Sequence, residues 1–354
     1  MTPSAPALGT RLRRAFFSSP FNALLTLIGL WIVIMVLPGL LDWALFSATF
    51  QADTANECRQ NDGACWAFIA EKHRLILFGL YPFDEQWRPL LASLLLILGL
   101  VLSCRRSFWN RRLLIVWGVL LPASAILMWG GILGLSYVEN TLWGGLPLTL
   151  MLSTFGIAFA FPLGVLLALG RRSHLPIIRA LSVTYIELIR GVPLISVLFM
   201  SSVMLPLFLP EGWGIDKLLR AQIAIILFSA AYVAETVRGG LQSVDRGQVE
   251  GAASLGMGYW QTMRLVVLPQ ALRAVVGPLV GLFIGLFKDT SLVVIIGLFD
   301  LTQAAKASLT DVSWAGFSIE AYLFVACIYF AFCYAMSRYS QTLESTPQVN
   351  HVKV

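Results

Sequence analysis

Apolar residues in this chain come in long uninterrupted runs, not in the alternating or one-sided patterns of water-soluble elements. The runs cover 21–46, 89–103, 113–128, 146–169, 192–209, 221–237, 275–298 and 321–337, with polar breaks between them. Roughly 20 apolar residues cross a hydrocarbon core of about 30 Å, so the pattern predicts an all-α protein with about eight transmembrane helices. Arg11, Arg13 and Arg14 precede the first run, as basic residues precede a signal peptide core. That run is longer than the core of roughly 7–15 residues such a peptide carries, and it reads as a retained anchor.

Composition agrees: 58% of the 354 residues are hydrophobic, 12% are charged, and the mean hydropathy is +0.78. A soluble fold of this length needs more charge to cover its surface. The net charge of +6 points to nucleic acid only if position is ignored. Sorted by alternate loops, the N-terminal arm, 104–112, 170–182, 238–273 and the tail hold 16 Lys+Arg and 3 Asp+Glu, whereas 47–88, 130–145, 210–220 and 299–320 hold 7 and 12. Basic residues concentrate on the cytoplasmic side of membrane proteins. The partition therefore predicts both termini in the cytoplasm and an even number of spans, and it explains the charge without a nucleic-acid partner.

The cytoplasmic loop at 239–272 carries the most information. Asp245 suits a helix N-cap, with Gln248 placed for a capping box, and Gly256 suits a left-handed C-cap. Glu250-Gly251-Ala252-Ala253-Ser254-Leu255 forms the body of this short helix, small enough for another protein to approach its backbone. Tyr259-Trp260-Gln261 follows, and Pro269 suits the first turn of the next helix. Ordered loops of this length are more often functional than idle.

Glu250-Gly251-Ala252, Gly256, Val266, Leu268 and Pro269, in this spacing, resemble the EAA loop of permease subunits of ATP-binding-cassette importers. Tyr185-Ile186-Glu187-Leu188-Ile189-Arg190-Gly191-Val192-Pro193-Leu194 and Lys288-Asp289-Thr290-Ser291-Leu292 are similar to signatures of the polar amino acid uptake subgroup. Within it, the chain most resembles the larger permease of general L-amino acid systems, which has extra N-terminal spans. Gly251 stands where the general motif has Ala, which keeps the site small but weakens the local helix by up to about 1 kcal/mol.

The resemblance covers about 142–340 and implies an importer-type permease core with a cytoplasmic coupling helix. It leaves 1–130 as an accessory region and 341–354 as a cytoplasmic tail. It also implies a bacterial inner-membrane location and L-amino acid import by alternating access. Its implied partners are a cassette ATPase dimer, a second permease subunit and an extracytoplasmic solute-binding protein. No G-x-x-x-x-G-K-[ST] phosphate loop occurs in the chain, so ATP is expected on the separate ATPase and no cofactor on this one. Glu250, Gly251, Ala252, Gly256 and Pro269 are the expected coupling residues. A rival reading, an ion-coupled secondary amino acid transporter, predicts matched interrupted spans in two halves, and 21–128 and 146–337 do not show them. A membrane-embedded enzyme needs a convergent set of reactive groups in the bilayer, and only Lys288-Asp289 qualifies.

Counted from 275, Lys288 and Asp289 fall near mid-bilayer, where charges are costly and usually functional. Lys288, Asp289, Thr290 and Ser291 are the candidate substrate pathway, and an unwound turn at 290–291 would favour it over interhelical pairing of the two charges. Gly277, Gly281 and Gly285 form a small-residue stripe that suits either a second permease subunit or packing within one. Glu187 and Arg190, at i and i+3 beside Pro193, suit either a gate or an interfacial anchor at the inner end of the fifth span; Glu235 and Arg238 share that spacing. Cys58 and Cys65 flank an Asn-Asp-Gly turn in the first external loop, as a small disulfide loop or as two free thiols. His73, His174 and His351 lack metal-ligand spacing, and no metal site is expected.

Overall fold

The computed structural model describes residues 16–208, 210 and 214–344. Arg11, Arg13 and Arg14, Leu209 at the end of the expected fifth span, His351 and most of the expected tail lie outside the described residues. The chain divides into two compact units, Met1–Glu71 with Leu309–Glu320, and Lys72–Ser308 with Ala321–Val354.

The first unit contains the helix α1 (Pro20–Leu41), extended by a π turn over Asp42–Phe46. Ser19 caps α1 by accepting from the Asn22 amide at 3.1 Å, and Pro20 enters at its first turn, where a missing N–H costs nothing. Beyond α1 the chain folds into a small unit with a buried apolar centre. Cys58 and Cys65 are disulfide-bonded, with Cα atoms 5.6 Å apart and both residues buried. The Cys65 amide donates to a Glu320 carboxylate oxygen at 3.0 Å, Arg59 donates to the Ala315 carbonyl at 2.9 Å, and Phe68 packs on Trp314 and Phe317.

In the second unit, α2 (Trp87–Ser103) and α3 (Arg111–Trp129) pair with each other, followed by α4 (Gly145–Arg171). Ala92 and Leu96 of α2, Met128 of α3, and Leu150 and Met151 of α4 share one core with Phe287. Next come α5 (Pro176–Arg190) and α6 (Leu194–Phe199), which continues through a π turn at Met200–Met204 to Phe208. The long helix α7 (Lys217–Ser243) packs most extensively on α4. The short helix α8 (Arg246–Ser254) leads through a π turn to Leu268–Ala274 and then to α9 (Val276–Asp289). A terminal helix, α10 (Ser318–Glu344), closes the described chain.

Seven helices among the described residues are long and apolar enough to cross a membrane, and α5 with the 194–208 segment makes an eighth crossing if counted as one. That pair bends by 103° at 191–193, so the expected run over 192–209 is helical but short, and α5 precedes it as a separate helix that the apolar runs did not include. Gly191 ends α5 and Pro193 takes an extended conformation (φ −62°, ψ 143°) as the cap of α6. Proline has no amide to continue the ladder and disfavours helix at the residue before it, so the chain turns here.

Candidate functional site

Helix α8 is capped and tied to the segment that follows it. Asp245 caps it through a hydrogen bond from the Gly247 amide at 2.6 Å. Gln248 does not complete the expected capping box: its side-chain oxygen accepts from Gln270 at 3.1 Å, tying α8 to the segment leading into α9. At the next short helix, Tyr259–Thr262, the Gly258 amide donates to the Gln261 side chain at 3.0 Å, half of such a box. Gly256 has φ +74°, the left-handed conformation that ends such a helix without a Cβ penalty. Pro269 sits in the first turn of Leu268–Ala274, which continues a π turn and does not begin as a free helix.

The five residues expected to couple play unequal parts. Glu250 and Gly251 are exposed, and open space surrounds the position a Gly251 Cβ would take. Ala252 is buried, so it holds the elbow from inside. Leu255, 82% exposed, and Trp260, 70% exposed, add apolar surface beside the five expected coupling residues. Behind α8, Val267 and Ala271 share a core with Val237 and Leu241 of α7 and Leu279 of α9. The segment that follows α8 therefore packs against both α7 and α9.

A second feature joins the ends of α4, α5 and α7. Arg171 donates to Glu187 at 2.8 Å and to Glu235 at 3.4 Å; Glu235 also receives Arg238 and lies 3.8 Å from Arg190. Glu187 and Arg190 therefore do not pair at i and i+3 as one expected reading had it, and each reaches another helix because both sit on the separate α5. The Arg190 guanidinium also lies over the Tyr232 ring at 5.8 Å. Glu235, which meets three arginines, is the centre of this network, and Arg171, which bridges it to Glu187, was visible in the sequence only as one basic residue in the 170–182 loop.

At the other end of α9, the α-helix stops at Asp289 and the chain tightens into 3₁₀ geometry over Thr290–Ile296. Asp289 lines a cavity of about 280 Å³ with Gly281, Gly285 and Leu282 of α9 and with Phe228 and Tyr232 of α7. Lys288 is exposed and does not line it. The hydroxyls of Thr290 and Ser291 donate to the carbonyls of Phe287 and Lys288 at 2.7 and 2.8 Å. Of the four expected pathway residues, Asp289 alone thus faces this cavity. Phe228 and Tyr232 were missed, since nothing local separates lining aromatics from lipid-facing ones. Among the described residues a Cβ on Gly281 or Gly285 would meet nothing within 4 Å, so this part of the stripe opens onto the cavity. Among the described residues no three His, Cys, Asp or Glu come together as metal ligands.

A family model described as a binding-protein-dependent transport system inner membrane component matches residues 160–346. The chain is 52% identical over 339 residues to the inner membrane amino-acid ABC transporter permease protein YhdY of Escherichia coli (strain K12), covering 94% of this chain and 91% of that one. It is 37% identical over 412 residues to the glutamate/glutamine/aspartate/asparagine transport system permease protein BztC of Rhodobacter capsulatus, covering 96% and 94%. A solved amino acid ABC transporter with histidines aligns with 55% of this chain and 89% of its own, at 34% identity and TM-score 0.49.

Proposed function

From the premise that this chain belongs to the family of binding-protein-dependent inner membrane transport components, as a multi-pass permease of the amino-acid ABC transporters, we propose how it works. It imports L-amino acids into the cytoplasm of a bacterium by alternating access, taking them from an extracytoplasmic binding protein. ATP is hydrolysed by a separate cassette ATPase dimer, and a second permease subunit completes the pathway. Both termini and α8 lie on the cytoplasmic side, where the basic loops fall. The 1–130 region is accessory to the 142–340 core. The ion-coupled alternative is not favoured, because relatives covering nearly the whole chain are ABC transporter permeases.

The observation that carries this reading is the lever: a capped, exposed short helix whose base is packed between α7 and α9. Movement of the ATPase subunits on Glu250, Gly251 and Leu255 tilts α7 and α9, and the cavity holding Asp289 lies between those two helices and α4. Asp289 is the acceptor for a substrate ammonium group there, and Lys288, Thr290 and Ser291 serve the end of α9 where it tightens.

Gly251→Trp and Ala252→Trp separate docking from folding. The exposed position should lose ATPase-subunit copurification and uptake, each by about tenfold or more, with unchanged thermal stability, since interface truncations or clashes of about 1.4 kcal/mol reach that factor. The buried position should lose stability as well, because overpacking costs roughly 1–3 kcal/mol. Normal copurification and uptake in Gly251→Trp would refute the coupling role.

A further inference from the structure

The turn between α4 and α5 opens a cleft of about 920 Å³ lined by Arg171, Arg172, His174, Arg179 and Arg238. Glu187 and Glu235 occupy Arg171 and Arg238, and Arg172 donates to the Leu241 carbonyl at 2.9 Å. Neither Arg172 nor Arg179 meets a carboxylate among the described residues, and Arg179 and His174 are exposed. The cleft is therefore positively charged after its internal pairs are counted. Ser173 and His174 also line a neighbouring groove of about 390 Å³ whose other walls include Leu166, Leu169, Leu175, Ile178 and Trp260. A basic cleft and an apolar groove thus share one lip.

The helix between them points the same way. Ile177, Leu181 and Leu188 of α5 are exposed by 73, 67 and 61%, at spacings of four and seven residues that set them on one face. Its opposite side buries Ser182 and Ile186. A helix with an outward apolar stripe is suited to lie against a bilayer interface, and its Arg179 lies on the other side, toward the cleft. Charge alone would fit a free anion, and apolar surface alone would fit any lipid or protein. Joined, they fit one molecule with a negative head and a hydrocarbon tail, and basic sites between helices at a membrane surface bind such headgroups.

We propose that this composite site holds an anionic phospholipid, its phosphate against Arg172, His174 and Arg179 and an acyl chain in the Leu166–Trp260 groove. The bound lipid fills the corner between α4 and α5, where the salt bridges to Glu187 and Glu235 are made. Assignment to the cytoplasmic leaflet rests on the orientation proposed above; lipid binding itself does not.

The test reads lipid retention and not transport, so its failure is distinct from failure of the importer reading. Full-length protein in detergent is offered equal amounts of phosphatidylglycerol and phosphatidylcholine with matched chains, and retained lipid is counted by native mass spectrometry. Wild type should prefer phosphatidylglycerol. Arg179→Gln should cut that preference about fivefold, the worth of one interfacial basic residue, and Arg179→Lys should restore most of it. Trp260→Ala should lower retention of both lipids and leave their ratio alone. Circular dichroism confirms that the variants, all at exposed positions, are folded. An unchanged ratio in Arg179→Gln overturns the site. So does displacement of the lipid by millimolar inorganic phosphate, which would make it a free-anion site, or by the cassette ATPase, which would make this face a protein interface.

Discussion

Helices α1 and α7 are both membrane-length, yet they are built on opposite terms. The most apolar stretch of α1 has a mean hydropathy of 2.6 against 1.5 in α7, but none of that stretch is buried, compared with 44% in α7. The more hydrophobic helix is the one that packs less. Within a bilayer, lipid tails are as apolar as leucine, and hydrophobicity gives helices no reason to associate; close backbone approach does. Accordingly α7 buries Ala221, Ala224, Ala230, Ala231, Ala234 and Gly240, while Leu24, Leu27, Trp31, Ile34 and Met35 of α1 all stand half exposed or more.

Gly240 gives the sharpest way to break this contrast. A Cβ there would run into the Ala271 carbonyl and the Val275 side chain, so α7 touches the base of the lever through a gap that only glycine leaves. Gly240→Leu should lower stability by roughly 1–3 kcal/mol through overpacking and abolish uptake, with Gly240→Ala milder in both. Thermal unfolding in detergent together with a transport assay reads the two effects. A stable, transporting Gly240→Leu variant would show that the contact is not tight.

Local signals made most of this architecture legible. Hydropathy located the long helices, and Asp245, Gly256 and the small residues between them marked the lever, because caps and turns depend on neighbours in sequence. The bend at 191–193 lies in Gly191 and Pro193 at the edge of one apolar run, and such a run shows no direction. Of the salt-bridge network only the Glu235–Arg238 pair, at i and i+3, was legible. Arg171, Glu187 and Glu235 are 16 and 48 residues apart in turn, and only tertiary packing decides that Glu187 turns to α4 and not to Arg190. The same holds for the cavity, where Phe228 and Tyr232 lie more than 50 residues before Asp289.

A polar anchor in the second unit has a smaller effect and a defined pH dependence. Asp300, wholly buried, accepts from the Thr302 and Gln303 amides at 3.0 Å each and caps the helix Leu301–Ser308. Burial outweighs those two donors and pushes its carboxyl above the ordinary value of 3.8. A native state that holds its proton more tightly than the unfolded chain is favoured below 3.8, and that contribution is lost as pH rises through the raised value. Asp300→Asn should keep a cap acceptor and flatten the slope of unfolding temperature against pH above 4, where about 4 is set by the ordinary carboxyl value. An equal slope in wild type and variant would assign the pH response elsewhere.

The smallest effect belongs to α1, and it closes the comparison. Leu30 is 53% exposed, whereas Leu152 of α4 is fully buried in a core with Leu198 and Ile225. Truncation in a bilayer forfeits little transfer free energy, because the side chain leaves no water in either state. What remains is the cavity, about 24 cal/mol per Å³, and only Leu152 has neighbours that would be left facing one. Leu152→Ala should therefore cost on the order of 2 kcal/mol, the low end for such changes, and Leu30→Ala less than about 0.5 kcal/mol. Unfolding of each variant in detergent measures the difference. Equal destabilisation by the two substitutions would mean that α1 has a packed face of its own, and the rule that small residues decide association would fail for this helix.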